Sequence, residues 1–117
     1  MKAKLQRRAI VAGLMLAGLM ACSDATDELR EVTLPVLVNQ AEQLDGTRVR
    51  TEGVVRHFED PLHYWIEDED LNRVEIFPHE QIAPHLGETV RVVGNFEYSA
   101  TEGRRLTLES VEPAAGQ

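Results

Sequence analysis

The sequence predicts an all-β fold in which five strands form a small barrel, with a short N-terminal helix before them. Apolar and polar side chains alternate with a period of two in five stretches after residue 46, as expected of half-buried strands. Only two stretches have helical character, and each ends at a glycine, Gly46 or Gly87. Gly53 interrupts the first strand and predicts a bulge or a strong bend there.

The predicted elements follow one another with short turns. A helix is expected over 34–46, and a short helical piece over 78–87. The five strands are expected at 47–58, 63–68, 73–77, 88–98 and 104–112. The second and third strands form a hairpin whose turn is 69–72. The order is therefore three strands, a helix and two strands, or βββ-α-ββ.

This order resembles the OB fold, a five-stranded barrel. Two stretches, "LDGTRVRTEGVV" and "LGETVRVVGNF", each carry a glycine-led turn and then a strand with a mid-strand glycine. With the closing "LTLESVE", they are similar to small bacterial OB-fold domains, including the anticodon-binding-like group of exported proteins. The resemblance covers 34–112 and implies a binding module without specifying its ligand. Another small barrel and an open five-stranded α+β domain are the alternatives.

The N-terminus has the pattern of a secretory signal peptide. Residues 1–8 are basic, 9–21 are apolar, and acidic residues follow soon after. The apolar run of 13 residues is shorter than the roughly 20 that a transmembrane helix needs. A basic start, a short apolar centre and small residues at its end are typical of a signal peptide. An ordinary buried helix is the alternative.

The apolar run ends in Leu19-Met20-Ala21-Cys22, which resembles the lipobox of bacterial lipoproteins. The resemblance implies cleavage between Ala21 and Cys22, a diacylglycerol on the Cys22 sulfur, and acylation, for example by palmitate, of the new amino terminus. The thiol is the nucleophile that can accept the lipid, and several acyl chains make the anchor effectively permanent. A plain signal peptide with a chance cysteine is the alternative.

These patterns divide the chain into four parts. They are a signal peptide (1–21), a lipidated Cys22 with an acidic tether (22–33), an OB-like domain (34–113) and a tail (114–117). The protein is then expected to be extracytoplasmic and bound to a membrane through lipid. In a Gram-negative cell, Ser23 after the cysteine is compatible with the periplasmic face of the outer membrane.

The charge distribution restricts the partners that the sequence predicts. The whole chain has a net charge of −8. From Cys22 onward there are eight arginines, no lysine and 20 acidic residues, a net charge of −12. Such a surface repels phosphate backbones, so the sequence predicts that nucleic acid is a poor candidate partner.

Patterns for metal binding or catalysis are incomplete. A transition-metal site needs three or four converging ligands, and the histidines are scattered, at His57, His63, His79 and His85. The calcium-loop pattern that begins at Asp68 lacks the glycine and the glutamate that it requires. No nucleophile–base or phosphate-loop motif is present. The sequence predicts no metal, no cofactor and no enzymatic activity.

Strand alternation predicts an outward-facing binding surface. Val74 and Ile76 are expected to point inward, which turns Phe77 outward, and an inward Ile66 turns its neighbours outward. The predicted partner-binding residues are Trp65, Phe77, Arg56, Glu67 and Arg104. The alternative is that the N-terminal helix covers Trp65 or that a bulge turns it inward. The expected function is a non-catalytic binding or accessory module for an envelope protein, with a small cationic or sugar ligand as the alternative.

Overall fold

The computed structural model describes residues 28–114, which form a mostly β structure around one six-stranded sheet. The strands are β1 (Leu29–Glu31), β2 (Arg48–Glu59), β3 (Leu62–Glu67), β4 (Arg73–Phe77), β5 (Thr89–Ser99) and β6 (Gly103–Pro113). The helices are α1 (Leu34–Asn39), α2 (Ala41–Leu44) and α3 (His79–Ile82), and a 3-10 turn (Ala83–His85) follows α3. The predicted signal peptide, Cys22 and the last three residues lie outside the described part.

Five of the strands pair in a closed ring. β2 pairs with β3, β3 with β4, β4 with β6, β6 with β5, and β5 again with β2. β2 can do this because it is long: residues 48–54 pair with β5, and residues 54–59 pair with β3. The ring leaves β1 as a sixth strand at the edge.

The glycine in β2 lies where that strand changes partners. Gly53 is buried, and a Cβ atom there would lie 2.9 Å from Leu34 Cδ1 and 3.0 Å from the Glu67 carbonyl oxygen. The pairing of β2 with β5 keeps a regular register through this position. The register shift occurs instead between β5 and β6, where the pairing skips Glu109 of β6 opposite Val93 and Gly94. Gly53 therefore does not form the predicted bulge. Its missing side chain instead allows Leu34 and the backbone of Glu67 to lie close to β2.

The described part of the chain has six strands and not the five predicted, because the folded region begins earlier in the chain, at β1. Residues 29–31 pair in parallel with residues 48–50 of β2, and the Val32 N–H donates to the Arg50 carbonyl at 3.0 Å. These residues were expected to belong to the tether. Three residues are too few to show a period-two pattern, which is why the sequence did not indicate a strand. At the other end, Ala114, expected in the tail, is buried and donates its N–H to the Thr89 carbonyl.

The inner side of the ring is filled by alternating residues of the strands and by one face of the helices. The predicted helix over 34–46 is two short helices, because the chain leaves helical geometry at Gln40. The helices contribute Leu34, Leu37, Ala41, Leu44 and Ile82 to the core. The strands contribute Val49, Val55, Ile66, Val74, Ile76, Val90, Val92, Phe96, Leu106 and Leu108. Among the described residues no helix is long and apolar enough to cross a bilayer.

Candidate functional site

The outer face of β2, β3, β4 and β6 carries a row of side chains from four strands. In the strand register, Arg56 lies opposite Trp65, Trp65 opposite Glu75, and Glu75 opposite Arg105. Residues opposite one another in a sheet point to the same face. The neighbouring residues Ile66 and Val74 are buried on the inner side, so this row points outward.

Glu67 lies at the centre of the polar contacts around Trp65. The Trp65 indole N–H donates to Glu67 Oε1 at 2.9 Å, and Arg56 Nε donates to Glu67 Oε2 at 3.3 Å. Arg73 Nη2 lies 3.8 Å from the same carboxylate. The Glu67 side chain is only 13% exposed, whereas both arginine side chains are about half exposed. One shielded carboxylate therefore positions two guanidinium groups that still face solvent.

Arginines also cover the aromatic rings of this face. The Arg73 guanidinium lies over the Trp65 ring, 4.8 Å from its centroid, and the Arg105 guanidinium lies 4.7 Å from the centroid of Phe77. Such cation–π contacts each contribute about 0.5–1 kcal/mol at exposed positions. The residues Arg56, Trp65, Arg73, Phe77 and Arg105 are called the arginine–aromatic face below. Glu67 holds one end of it in place.

Sequence alternation assigns most of this face and misses part of it. Trp65, Phe77, Arg56 and Glu67 have the predicted outward placement. Arg104 does not join them: it has the alternation of buried Leu106, and its Nε donates to the Arg73 carbonyl at 2.9 Å. Arg105, one residue later, occupies the row instead. Alternation also turns Arg73 outward, but Arg73 and Arg105 were not among the predicted binding residues, because no short-range pattern shows which ring each guanidinium covers.

The histidines do not converge. His63 contacts Trp65, with ring centroids 5.2 Å apart, and His79 stacks on Phe77 at 5.5 Å. His57 stacks on Tyr64, and His85 lies 3.1 Å from a carboxylate oxygen of Glu88. Within residues 28–114 no group of three His, Cys, Asp or Glu side chains is arranged to hold a metal ion. Two of the four histidines therefore extend the arginine–aromatic face.

The carboxylate of Asp68 accepts hydrogen bonds from other residues of its own turn, Asp68–Asn72. Asp68 Oδ1 accepts hydrogen bonds from the backbone N–H groups of Asp70 and Asn72, each at 2.9 Å, and the Asn72 side chain also donates to it. Desolvation raises the pKa of Asp68, but the hydrogen bonds from Asn72 and Asp70 outweigh it and hold this pKa below its ordinary value. The turn that resembles a calcium loop in sequence is thus closed by its own carboxylate.

A groove of about 490 Å³ opens beside the arginine–aromatic face. Trp65, Arg56, Arg73 and Glu67 line it together with the backbone of β2 and the loop before β5. Its apolar residues include three that solvent reaches easily: Phe58 is 57% exposed, Leu71 61% and Leu86 45%. Trp65 itself is half-buried, with the Arg73 guanidinium over its ring.

A larger cavity, of about 870 Å³, lies between α1, β1 and β2. Its two arginines are paired, Arg50 with Glu31 at 3.2 Å and Arg91 with Glu52 at 3.5 Å, and the remaining charged residues of its lining, at 68–70, are all acidic. The cavity lacks aromatic residues among its lining. Size alone does not make a site, so the candidate site is placed at the groove and its adjoining face.

Comparisons with known proteins show the fold. No family model matches the chain, and no curated protein does. A solved structure of U. maydis replication protein A bound to ssDNA is similar in fold, with a TM-score of 0.50 and 19% sequence identity. The similarity covers 77% of this chain and 76% of that chain. The domain therefore has an OB-like fold.

This similarity corrects one prediction from the sequence. The net charge predicted that nucleic acid is a poor candidate partner, yet a protein with a similar fold has been solved with ssDNA bound. The prediction was wrong because the total charge of a chain does not determine the charge of one face. Here Arg56, Arg73 and Arg105 share one face with only two of the acidic residues, Glu67 and Glu75, so this face is less acidic than the chain as a whole.

Proposed function

We propose that this chain is a bacterial lipoprotein whose OB-like domain, a five-stranded barrel with an added edge strand, is a non-catalytic binding module outside the cytoplasm. The observation that carries the binding role is the arginine–aromatic face, in which guanidinium groups lie over Trp65 and Phe77. Aromatic and arginine side chains are enriched at interaction hot spots. The proposed partner is another protein of the cell envelope.

The geometry of this face favours anionic groups on the partner. The two exposed guanidinium groups beside Glu67 each have five N–H donors, and the single carboxylate uses few of them. A small cationic ligand would meet these positive charges. A sugar that stacks on a ring would have to displace Arg73 or Arg105 from it. Carboxylates of a partner protein meet neither obstacle.

Single-stranded nucleic acid is the second candidate partner. The OB-like fold is shared with a protein solved with ssDNA bound. Aromatic rings next to arginines can stack bases and contact the phosphates that join them. The same face would then bind either class of anionic chain, and direct titration separates the two.

Membrane attachment is tested at Cys22. The sequence Leu19-Met20-Ala21-Cys22 at the end of the apolar run supports lipidation. In a bacterial host fed with labelled palmitate, we expect the wild-type chain to take up label and Cys22→Ser to take up none, because serine lacks the thiolate that accepts the lipid. Ser23→Ala serves as the matched control and should be labelled normally. An unlabelled wild type would reject the lipoprotein assignment.

Binding by the arginine–aromatic face is tested with two anionic probes, polyglutamate and oligothymidylate. Trp65 is the only tryptophan in the sequence, so its fluorescence reports binding to the full-length protein in a non-ionic detergent. We expect polyglutamate to change the emission, and the double variant Arg73→Gln/Arg105→Gln to lower its affinity by about ten-fold, since charge-assisted hydrogen bonds are lost.

The control for this titration is Arg48→Gln, which removes a surface arginine that pairs with Glu109 away from the groove. Its affinity should match the wild type. Binding of oligothymidylate without binding of polyglutamate would assign the face to nucleic acid. If neither probe changes the emission, the face is not an anion-binding surface.

A further inference from the structure

The second half of β2 has an open edge. The Val55 N–H donates to the Glu88 carbonyl at 3.0 Å, and the Val55 carbonyl accepts from the Gly87 N–H at 2.9 Å. Beyond Val55, the described strands pair with β2 on one side only, through β3. In an antiparallel ladder the groups that point away from a partner alternate, so those of residues 57 and 59 point to the open side.

An open edge of this kind is a template for another extended chain. Phe58 and Glu59 on it are exposed, and the groove of about 490 Å³ runs beside the same segment. A chain that adds to the edge would therefore place alternate side chains in the groove. The backbone would provide hydrogen bonds, and the groove would select the side chains.

The groove selects apolar side chains at its corners. Phe58, Leu71 and Leu86 come from β2, from the β3–β4 turn and from the loop before β5. All three are among the large apolar side chains that the described part of the chain exposes. Exposed apolar groups that converge from three separate elements mark a contact surface. Leu71 and Leu86, which are aliphatic, and Phe58 together suit leucine or phenylalanine side chains of a partner.

The charged residues of the groove determine which side chains the partner can place next to its apolar ones. Its charged lining is Arg56, Arg73 and Glu67, which leaves an excess of positive charge. Because Glu67 is nearly buried, a bound chain meets mainly the guanidinium groups. Acidic side chains complement this lining and basic ones do not.

We propose that the groove binds an extended acidic–apolar segment of a partner protein, which adds as a strand to residues 56–59 of β2. The inference rests on the proposed function and specifies the partner of that surface. Every second side chain of the segment faces the groove, and these side chains are acidic and large apolar in turn. The acidic side chains meet Arg56 and Arg73, and the apolar ones pack between Phe58 and Leu86.

The test uses a synthetic peptide with serine at odd positions and with glutamate and leucine in turn at even positions. It is titrated into the full-length protein in non-ionic detergent, with Trp65 fluorescence as the signal. We expect saturable binding, and a loss of affinity of about ten-fold for Phe58→Ser and for Leu86→Ser, as for truncation of a hot-spot side chain. Leu62→Ser is the matched control, because Leu62 is an exposed leucine outside the groove lining.

Two N-methylated peptides test the strand addition itself. One carries methyl groups on the amides of all odd positions and the other on those of all even positions. Only alternate amides of an added strand face β2, so one peptide should lose binding and the other keep it. Equal affinities for the two peptides would overturn strand addition.

The remaining outcomes separate this inference from the proposed function. If Arg73→Gln/Arg105→Gln weakens polyglutamate binding while Leu86→Ser leaves peptide binding unchanged, the arginine–aromatic face stands and the groove proposal is rejected. If the peptide does not bind and oligothymidylate binding depends on Leu86, the groove belongs to nucleic acid. Leu62→Ser losing as much affinity as Leu86→Ser would also reject the groove.

Discussion

Gly94→Ala is expected to destabilise the protein by about 3–4 kcal/mol, and thereby to lower its Tm by about 15–25 °C. A Cβ atom at this position would overlap the carbonyl oxygen of Thr107 and would also reach 2.7 Å from Leu106 Cδ2. The obstacle is backbone, so it cannot rotate away. Relief requires β5 and β6 to separate at the register shift, where the two strands hold the ring closed.

Gly53→Ala is the matched comparison for this prediction. Gly53 is also a buried glycine within a strand, but the nearest backbone atom to its added Cβ, the Glu67 carbonyl oxygen, is 3.0 Å away and does not overlap it, and the nearest atom of all is the end of the Leu34 side chain at 2.9 Å. That side chain can move by a small amount, so we expect a loss of only about 1–2 kcal/mol. Urea unfolding followed by Trp65 fluorescence measures both variants. Equal losses at the two positions would contradict the close packing of β5 on β6.

Phe96→Ala is expected to cost about 3–5 kcal/mol, the range for deleting a buried aromatic side chain. Phe96 is fully buried in the core, so its truncation to alanine leaves a cavity there. Its backbone is held by hydrogen bonds to Thr47 and Gly46 at 2.8 Å, which limits the collapse of β5 into that cavity. The cost should therefore lie toward the upper part of the range.

The same substitution at two other phenylalanines provides the scale. Phe77 is half-buried beneath Arg105, and Phe58 is exposed. We expect about 1 kcal/mol for Phe77→Ala and less for Phe58→Ala, since little apolar area leaves water at these positions. Equilibrium unfolding in urea measures all three. A Phe96→Ala variant no less stable than Phe77→Ala would place the core elsewhere.

Sequence patterns predicted the strands well because each strand is long enough to alternate. The predicted third strand, 73–77, has the same bounds in the structure, and the other four predicted strands differ by one residue at each end. β1 was missed because three residues carry no period, and its pairing with β2 spans a long stretch of chain. The single helix expected over 34–46 is divided at Gln40, which no residue preference in that segment indicates.

The sequence predicted those residues of the candidate site whose outward placement follows from alternation along one strand. Alternation was enough for Trp65 and Glu67, which lie two residues apart. The position of Arg105 opposite Glu75 required the parallel register of β4 and β6, two strands that α3 and β5 separate in the sequence. Alternation with the buried Leu106 and Leu108 already turns Arg105 outward and Arg104 inward, but only the register places Arg105 opposite Glu75. The net charge of the chain could not predict the charge of this face, because it sums the charges of all faces of the domain.

The pairing of β1 also determines how the domain responds to mechanical tension. A pull on the chain from its N-terminal side reaches β1 first, where three residue pairs connect it to β2. β2 itself is held in the ring by longer ladders, seven pairs with β5 and six with β3. β1 therefore peels away before the ring is strained, and residues 28–33 then add about 20 Å of extended chain. A domain held at its N-terminus would have a short extensible segment that yields under load while its binding face stays folded.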